Sequence, residues 1–122
     1  MTIKVAINGM GRIGRSTLAA IIESGRSDIE VVSINAPAPI ETLVHLMKYD
    51  SVHGRFPGDI KIIGSNIDVG RGQIDMQSTY NPAELNWEGI DVLLECTGVH
   101  NSKEASIIHL ENGAKKVLLS AP

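Results

Sequence analysis

Aromatic side chains make up only 3% of this 122-residue chain: one Trp, one Phe and two Tyr. Any core must therefore be aliphatic, and a base-stacking surface for nucleic acid is not expected. Cys96 is the only cysteine, which rules out an internal disulfide framework and a Cys-rich zinc site. No metal-ligand spacing joins the four histidines. Neither sign of charge dominates: Lys+Arg total 11 and Asp+Glu 14, for a net charge of −3. Without a basic stripe, neither a polyanion nor an anionic membrane is an expected partner. No apolar run approaches the ~20 residues that span a bilayer. Met1-Thr2-Ile3-Lys4 leads straight into a strand-like run with no secretory pattern, so a cytoplasmic location is expected. What the chain does have is 43% hydrophobic and 20% charged residues, a balance that suits one globular domain of ordinary size.

Local patterns outline the elements. Ile3-Lys4-Val5-Ala6-Ile7 is short and β-branched, as a fully buried strand is. After the turn Asn8-Gly9-Met10-Gly11, a helical pattern starts at Arg12. It places Ile13, Thr17, Ala20 and Ile21 on one face, widened by Leu18 and Ile22, and stops at Gly25. Ile29–Ile34 is a second strand, and this βαβ unit implies a parallel sheet. Ala36-Pro37-Ala38-Pro39 breaks regular structure, and Ile40, Leu43, Val44 and Met47 resume a helix. From Ser51 to Gln77, glycines and alternating apolar residues predict short antiparallel strands. Asn81-Pro82 is a helix-start pair. Ile90–Cys96 is another buried strand. Asn101 and Glu104 have capping-box spacing for a helix that stops at Gly113, and Val117–Leu119 is the last strand. The expected fold is α/β: one doubly wound, Rossmann-type parallel sheet with short antiparallel strands inserted.

Gly9-Met10-Gly11-Arg12-Ile13-Gly14 is a G-x-G-x-x-G that follows a strand and opens a helix. In that context each glycine has a reason. Gly9 allows the tight turn, Gly11 lets backbone approach a pyrophosphate, and Gly14 lets helix pack closely on strand. The helix N-terminus adds free N–H groups and about half a positive charge. The second half of this dinucleotide fingerprint, an acid at the end of the second strand, is replaced by Asn35-Ala36. Hydrogen bonds to a charged group are worth about 1.5–3 kcal/mol, so the loss weakens a hold on the ribose of NAD. It also removes repulsion against the 2′-phosphate of NADP. Asn35 is left as a partial ribose partner.

Four motifs, in order along the chain, resemble the glyceraldehyde-3-phosphate dehydrogenase family. They are Val5–Arg15, Leu46–Gly54, Glu95-Cys96-Thr97-Gly98, and Gly113–Val117 together with Ser120-Ala121-Pro122. Erythrose-4-phosphate dehydrogenases share them. The resemblance implies that Asn8, Gly9, Gly11, Arg12 and Ile13 line the pyrophosphate and adenosine side. It implies that Thr97 and Gly98 lie near the nicotinamide half, and that Ser120 approaches from the last strand. Ala36 stands at the family's usual acidic position, Tyr80 at a usual Arg or Lys, and Met10 at a usual Phe.

The family's chemistry needs a nucleophilic cysteine in a Ser-Asn-Ala-Ser-Cys-Thr-Thr-Asn segment, activated by a histidine. Neither that segment nor the catalytic domain is among these 122 residues. Cys96 closes an apolar strand and reads as structural. The expectation is a dinucleotide-binding domain over residues 1–122, binding NAD with NADP tolerated and inactive alone, whose full-length relatives form homo-oligomers. The alternative is a non-catalytic nucleotide-binding or interaction module.

Overall fold

The computed structural model describes residues 2–25, 27–49, 60–70, 73–79, 81–97 and 103–119. Strand β1 (Ile3–Asn8) leads into helix α1 (Arg12–Ser24), which ends at Gly25 in the left-handed conformation (φ 65°). Strand β2 (Ile29–Asn35) and helix α2 (Ile40–Tyr49) follow. The glycine-rich stretch supplies three short strands, β3 (Lys61–Ile63), β4 (Asn66–Asp68) and β5 (Gln73–Gln77). A 3-10 turn at Pro82–Glu84, strand β6 (Val92–Glu95), helix α3 (Lys103–Glu111) and strand β7 (Lys116–Leu119) complete the order.

The seven strands among the described residues join one sheet in the order β3-β4-β5-β2-β1-β6-β7. Strands β5, β2, β1, β6 and β7 run parallel, while β3 and β4 add an antiparallel hairpin at one edge. The expected α/β class, with a parallel sheet and inserted antiparallel strands, is the observed one. The chain progresses outward from β1 through β2 to β5, then returns to the other side of β1 to lay down β6. That reversal puts the switch point between β1 and β6, where ligands of such sheets bind at the carboxyl ends.

Alternation along β1 sends Ile7 to one face and Ala6 to the other, and each joins a separate apolar cluster. Leu18 and Ala19 of α1 and Leu43, Val44 and Met47 of α2 cover the first face. The second is filled by Leu85, Trp87, Ile90, Leu93 and Ala114. Near-continuous burial of the central strands follows from this double cover.

Two expectations are corrected. The strand expected over Ile90–Cys96 is confined to Val92–Glu95. Helix α1 docks on only part of the expected face: Leu18 is buried and Ile21 and Ile22 pack against the first cluster, but Ile13 and Ala20 do not. Its buried residues are Gly14, Arg15, Leu18 and Ala19, whereas Ala20 is exposed and Ile13 is 54% exposed. The reason is steric: the helix seats where it has no side chain, at Gly14, and this rotates Ile13 outward. Arg15, on the first turn of the helix, is buried and donates from Nη1 to the Met10 carbonyl at 3.2 Å. By contrast, Asn81 caps the 3-10 turn as expected, its Oδ1 accepting the Ala83 N–H at 3.1 Å. The capping pair Asn101 and Glu104 and residues 51–59, 71 and 72 of the predicted hairpin region lie outside the described residues or side chains.

Candidate dinucleotide site at the strand carboxyl ends

The glycine loop lies directly beyond β1. Gly9 has φ +95°, a value L-residues rarely adopt, and its N–H donates to the Asn35 carbonyl at 2.8 Å. A Cβ on Gly9 would lie 2.8 Å from Thr97 Cγ2, so the loop after β1 and the segment after β6 abut across the switch point. A Cβ on Gly14 would overlap the Gly9 carbonyl oxygen, which is why α1 can begin this close to the strand. A Cβ on Gly11 would meet nothing within 4 Å. Gly11 is also the N-cap of α1 and makes no side-chain cap, and the first turn carries no acidic residue. An open glycine at an uncapped, positively polarised helix start fits an anion such as a pyrophosphate.

Behind this loop runs a row of buried polar side chains. Asn35, Asn8 and Glu95 end β2, β1 and β6, and the sheet register pairs Asn8 with both of the others. Asn35 Nδ2 donates to Asn8 Oδ1 at 2.7 Å, and Asn8 Nδ2 donates to Glu95 Oε1 at 2.9 Å. Asn35 also binds the Thr79 backbone at both ends, donating to its carbonyl at 3.0 Å and accepting its N–H at 3.1 Å. The Thr97 hydroxyl donates to Glu95 Oε1 at 3.3 Å. On the α3 side, His109 Nε2 lies 3.4 Å from the same oxygen, and Trp87 Nε1 donates to His109 Nδ1 at 3.1 Å. An indole N–H can only donate, so His109 Nδ1 accepts and its proton sits on Nε2, facing Glu95.

Of the residues that the sequence singles out, Asn8, Gly9, Gly11, Ile13, Asn35 and Thr97 gather at one end of β1, β2 and β6. Ile13 exposes its side chain beside the loop. Asn8 and Asn35 are 1% and 3% exposed and spend their amides on each other and on their neighbours. Arg12 opens α1, though its side chain lies outside the described set, as do Gly98, Ser120 and Tyr80. The Ala36 methyl is 5% exposed and packs in the α1–α2 cluster with Met10. Cys96 is half-buried against that cluster, and its N–H donates to the Asn8 carbonyl at 2.9 Å.

Glu95, His109 and Trp87 were not expected at the site. One signal was available: a lone carboxylate inside the apolar run Val92–Cys96 must find donors if the strand is central. Asp91, at the opposite end of β6, is unrelated to the site. The Lys4 N–H, and then the Lys115 ammonium at 3.3 Å, hold its carboxyl below the usual carboxylate range. A cavity of about 310 Å³ opens on the α3 side of β2 and β5, lined by residues including Ser33, Asp75, Gln77 and Glu88, and no glycine-loop residue borders it. No described residues form a metal-binding group of His, Cys, Asp and Glu, and none of the described helices is long and apolar enough to cross a membrane.

Comparison with known proteins agrees with this geometry. Residues 3–103 match the family model described as glyceraldehyde 3-phosphate dehydrogenase, NAD binding domain. The whole chain aligns with the glyceraldehyde-3-phosphate dehydrogenase of Xanthobacter flavus at 59% identity and with that of Cereibacter sphaeroides at 58%. The corresponding Pseudomonas aeruginosa protein is 45% identical over the same span. In each case the chain covers 37% of the relative's length. A glycine loop set at the switch point of a parallel sheet, matched over most of the chain, places this protein in the family of glyceraldehyde 3-phosphate dehydrogenase NAD-binding domains.

Proposed function

We propose that residues 1–122 are a dinucleotide-binding domain that holds NAD across the carboxyl ends of β1, β2 and β6, and that NADP is tolerated. The observation that carries this is the pairing of Gly11, open on its Cβ side, with an uncapped α1 start held against β1 by Gly14. In this reading the pyrophosphate rests on backbone N–H groups at the start of α1. Asn8, Gly9, Gly11, Arg12 and Ile13 serve the pyrophosphate and adenosine side, and Thr97, Gly98 and Ser120 the nicotinamide side. Asn8 and Asn35 act through the loops they fasten, because their amides are already engaged.

The parent reaction, by the same reading, is the phosphorylating oxidation of glyceraldehyde 3-phosphate in glycolysis, in the cytoplasm and in a homo-oligomer. NAD supplies the hydride acceptor. This chain's part is to bind the cofactor, orient it and exclude water on one side. Ile107, Leu110 and Leu118, at 43%, 45% and 60% exposed, are apolar surface suited to burial in such a larger assembly.

Titration calorimetry tests the site: NAD is expected to bind with a Kd below about 1 mM, and absence of heat with either NAD or NADP would leave an interaction module as the better reading. Ala36→Asp is expected to shift the ratio of NADP to NAD dissociation constants at least about tenfold toward NAD, since a carboxylate repels the 2′-phosphate. The ratio is the proper readout, because the Ala36 methyl is nearly closed off and a carboxylate there also meets a desolvation cost. An unchanged ratio would place the ribose elsewhere. A second expectation is that the chain alone forms no NADH from glyceraldehyde 3-phosphate, NAD and phosphate. Substrate-dependent NADH absorbance would refute the assignment of turnover to the remainder of the family enzyme.

A further inference from the structure

We infer that the buried pair Glu95–His109 is a positioning device for the dinucleotide, setting the two cofactor-binding loops against each other without touching the cofactor. The inference rests on the dinucleotide reading of the site. Both residues are 0% exposed, and Glu95 stands where β6 meets the switch point. Its Oε1 is the meeting point of three donors from three elements. Asn8 Nδ2 comes from the strand that carries the glycine loop, Thr97 Oγ1 from the segment after β6, and His109 Nε2 from α3.

The contact between the two loops is equally direct, since Gly9 has no room for a side chain beside Thr97. A shift of Glu95 therefore moves the glycine loop and Thr97 relative to each other. His109 limits that shift from the far side, with its own ring fixed by the indole N–H of Trp87. Asn35 extends the same row to β2 and the Thr79 backbone, so the ends of three strands share one hydrogen-bonded line. A buried carboxylate with several donors is retained at a cost in desolvation. Here the return is relative placement of loops, to which affinity for a multi-point ligand is sensitive.

Two conservative substitutions separate positioning from mere stability. His109→Gln keeps an N–H donor at the Nε2 position but loses the acceptor for Trp87. His109→Asn keeps an acceptor at the Nδ1 position but loses the donor to Glu95. The expected result is a crossed pattern at a temperature where both variants are folded. His109→Gln binds NAD within about twofold of wild type with altered Trp87 emission, while His109→Asn keeps the emission and binds NAD about fivefold more weakly. Glu95→Gln, which retains the side-chain shape, is the second variant if His109→Asn does not fold. It is expected to weaken NAD binding about fivefold with Trp87 emission unchanged. Wild-type NAD affinity in His109→Asn or in Glu95→Gln overturns the inference, as does a loss of affinity that simply tracks melting temperature in all variants. Failure of the wild-type chain to bind NAD overturns the site assignment itself, and the inference with it.

Discussion

Gly14→Ala is expected to remove measurable NAD binding and to lower stability by about 3 kcal/mol, the upper part of the range for overpacking. The added methyl would overlap the Gly9 carbonyl oxygen and lie 3.2 Å from the Gly9 carbonyl carbon. Both are backbone atoms, so no rotamer change relieves the clash. Either α1 lifts from β1 or the glycine loop deforms. Each response carries the α1 N–H groups away from the phosphate position. Losing two charge-assisted hydrogen bonds amounts to on the order of a hundredfold in affinity or more. Gly11→Ala is the control with the opposite stability behaviour. Its backbone angles (φ −71°) suit any residue and its Cβ would meet no protein atom within 4 Å. Melting temperature should therefore hold while NAD affinity falls at least about tenfold, because a pyrophosphate would occupy the space the methyl enters. Calorimetric titration with thermal melts on the two variants checks both halves. If Gly11→Ala binds NAD as wild type does, the pyrophosphate does not rest on this loop.

Trp87→Ala is expected to be the most destabilising single truncation in the molecule, at about 3–5 kcal/mol. Trp87 is the only tryptophan, is 0% exposed, and fills the smaller cluster with Leu85, Ile90, Leu93 and Ala114. In a chain with so few aromatics, no neighbour has the volume to close the cavity. Its removal also strips the donor from His109 Nδ1, a buried acceptor. Against the ~5–15 kcal/mol typical of whole domains, such a loss takes most of the margin. Urea unfolding followed by far-UV circular dichroism should show a large drop in midpoint. Trp87→Phe keeps most of the volume and loses only the N–H, so about 1–3 kcal/mol is expected. Equal midpoints for Trp87→Phe and wild type would mean that the indole–imidazole bond contributes nothing.

Much of the architecture was legible because it is governed by short-range terms. The β-branched run Ile3–Ile7, the glycine at the end of α1, the Asn81 cap and the proline break after β2 each act within a few residues. Element type and order followed from them. The glycine loop was legible for the same reason, since its six residues carry the turn, the close approach and the helix start together. The face of α1 was legible only in part: Leu18, Ile21 and Ile22 meet the core, whereas Ile13 and Ala20 do not. Hydrophobic periodicity assumes that the largest apolar side chains face inward, and it ranked Ile13 above Gly14. Docking instead followed the closest backbone approach, which needs the smallest residue.

Apart from the lone carboxylate of Glu95, the polar row was illegible for a different reason. Asn8 and Asn35 are 27 positions apart, Asn8 and Glu95 87 apart, and Glu95 and His109 14 apart on different elements. Nothing local distinguishes His109 from an ordinary helix residue. Chain register across β2, β1 and β6 brings Asn35, Asn8 and Glu95 to one level, and that register exists only once strands far apart in the chain have paired. By itself, then, the sequence determined the strands, the helices, the phosphate-type loop and the missing acid at Ala36, because each depends on backbone preferences within one turn or strand. The tertiary structure decided which face of α1 is buried, that Asn8 and Asn35 bind each other, and that Glu95 and His109 stand behind the site. Those outcomes depend on steric fit and hydrogen-bond satisfaction between segments that meet only when the sheet closes.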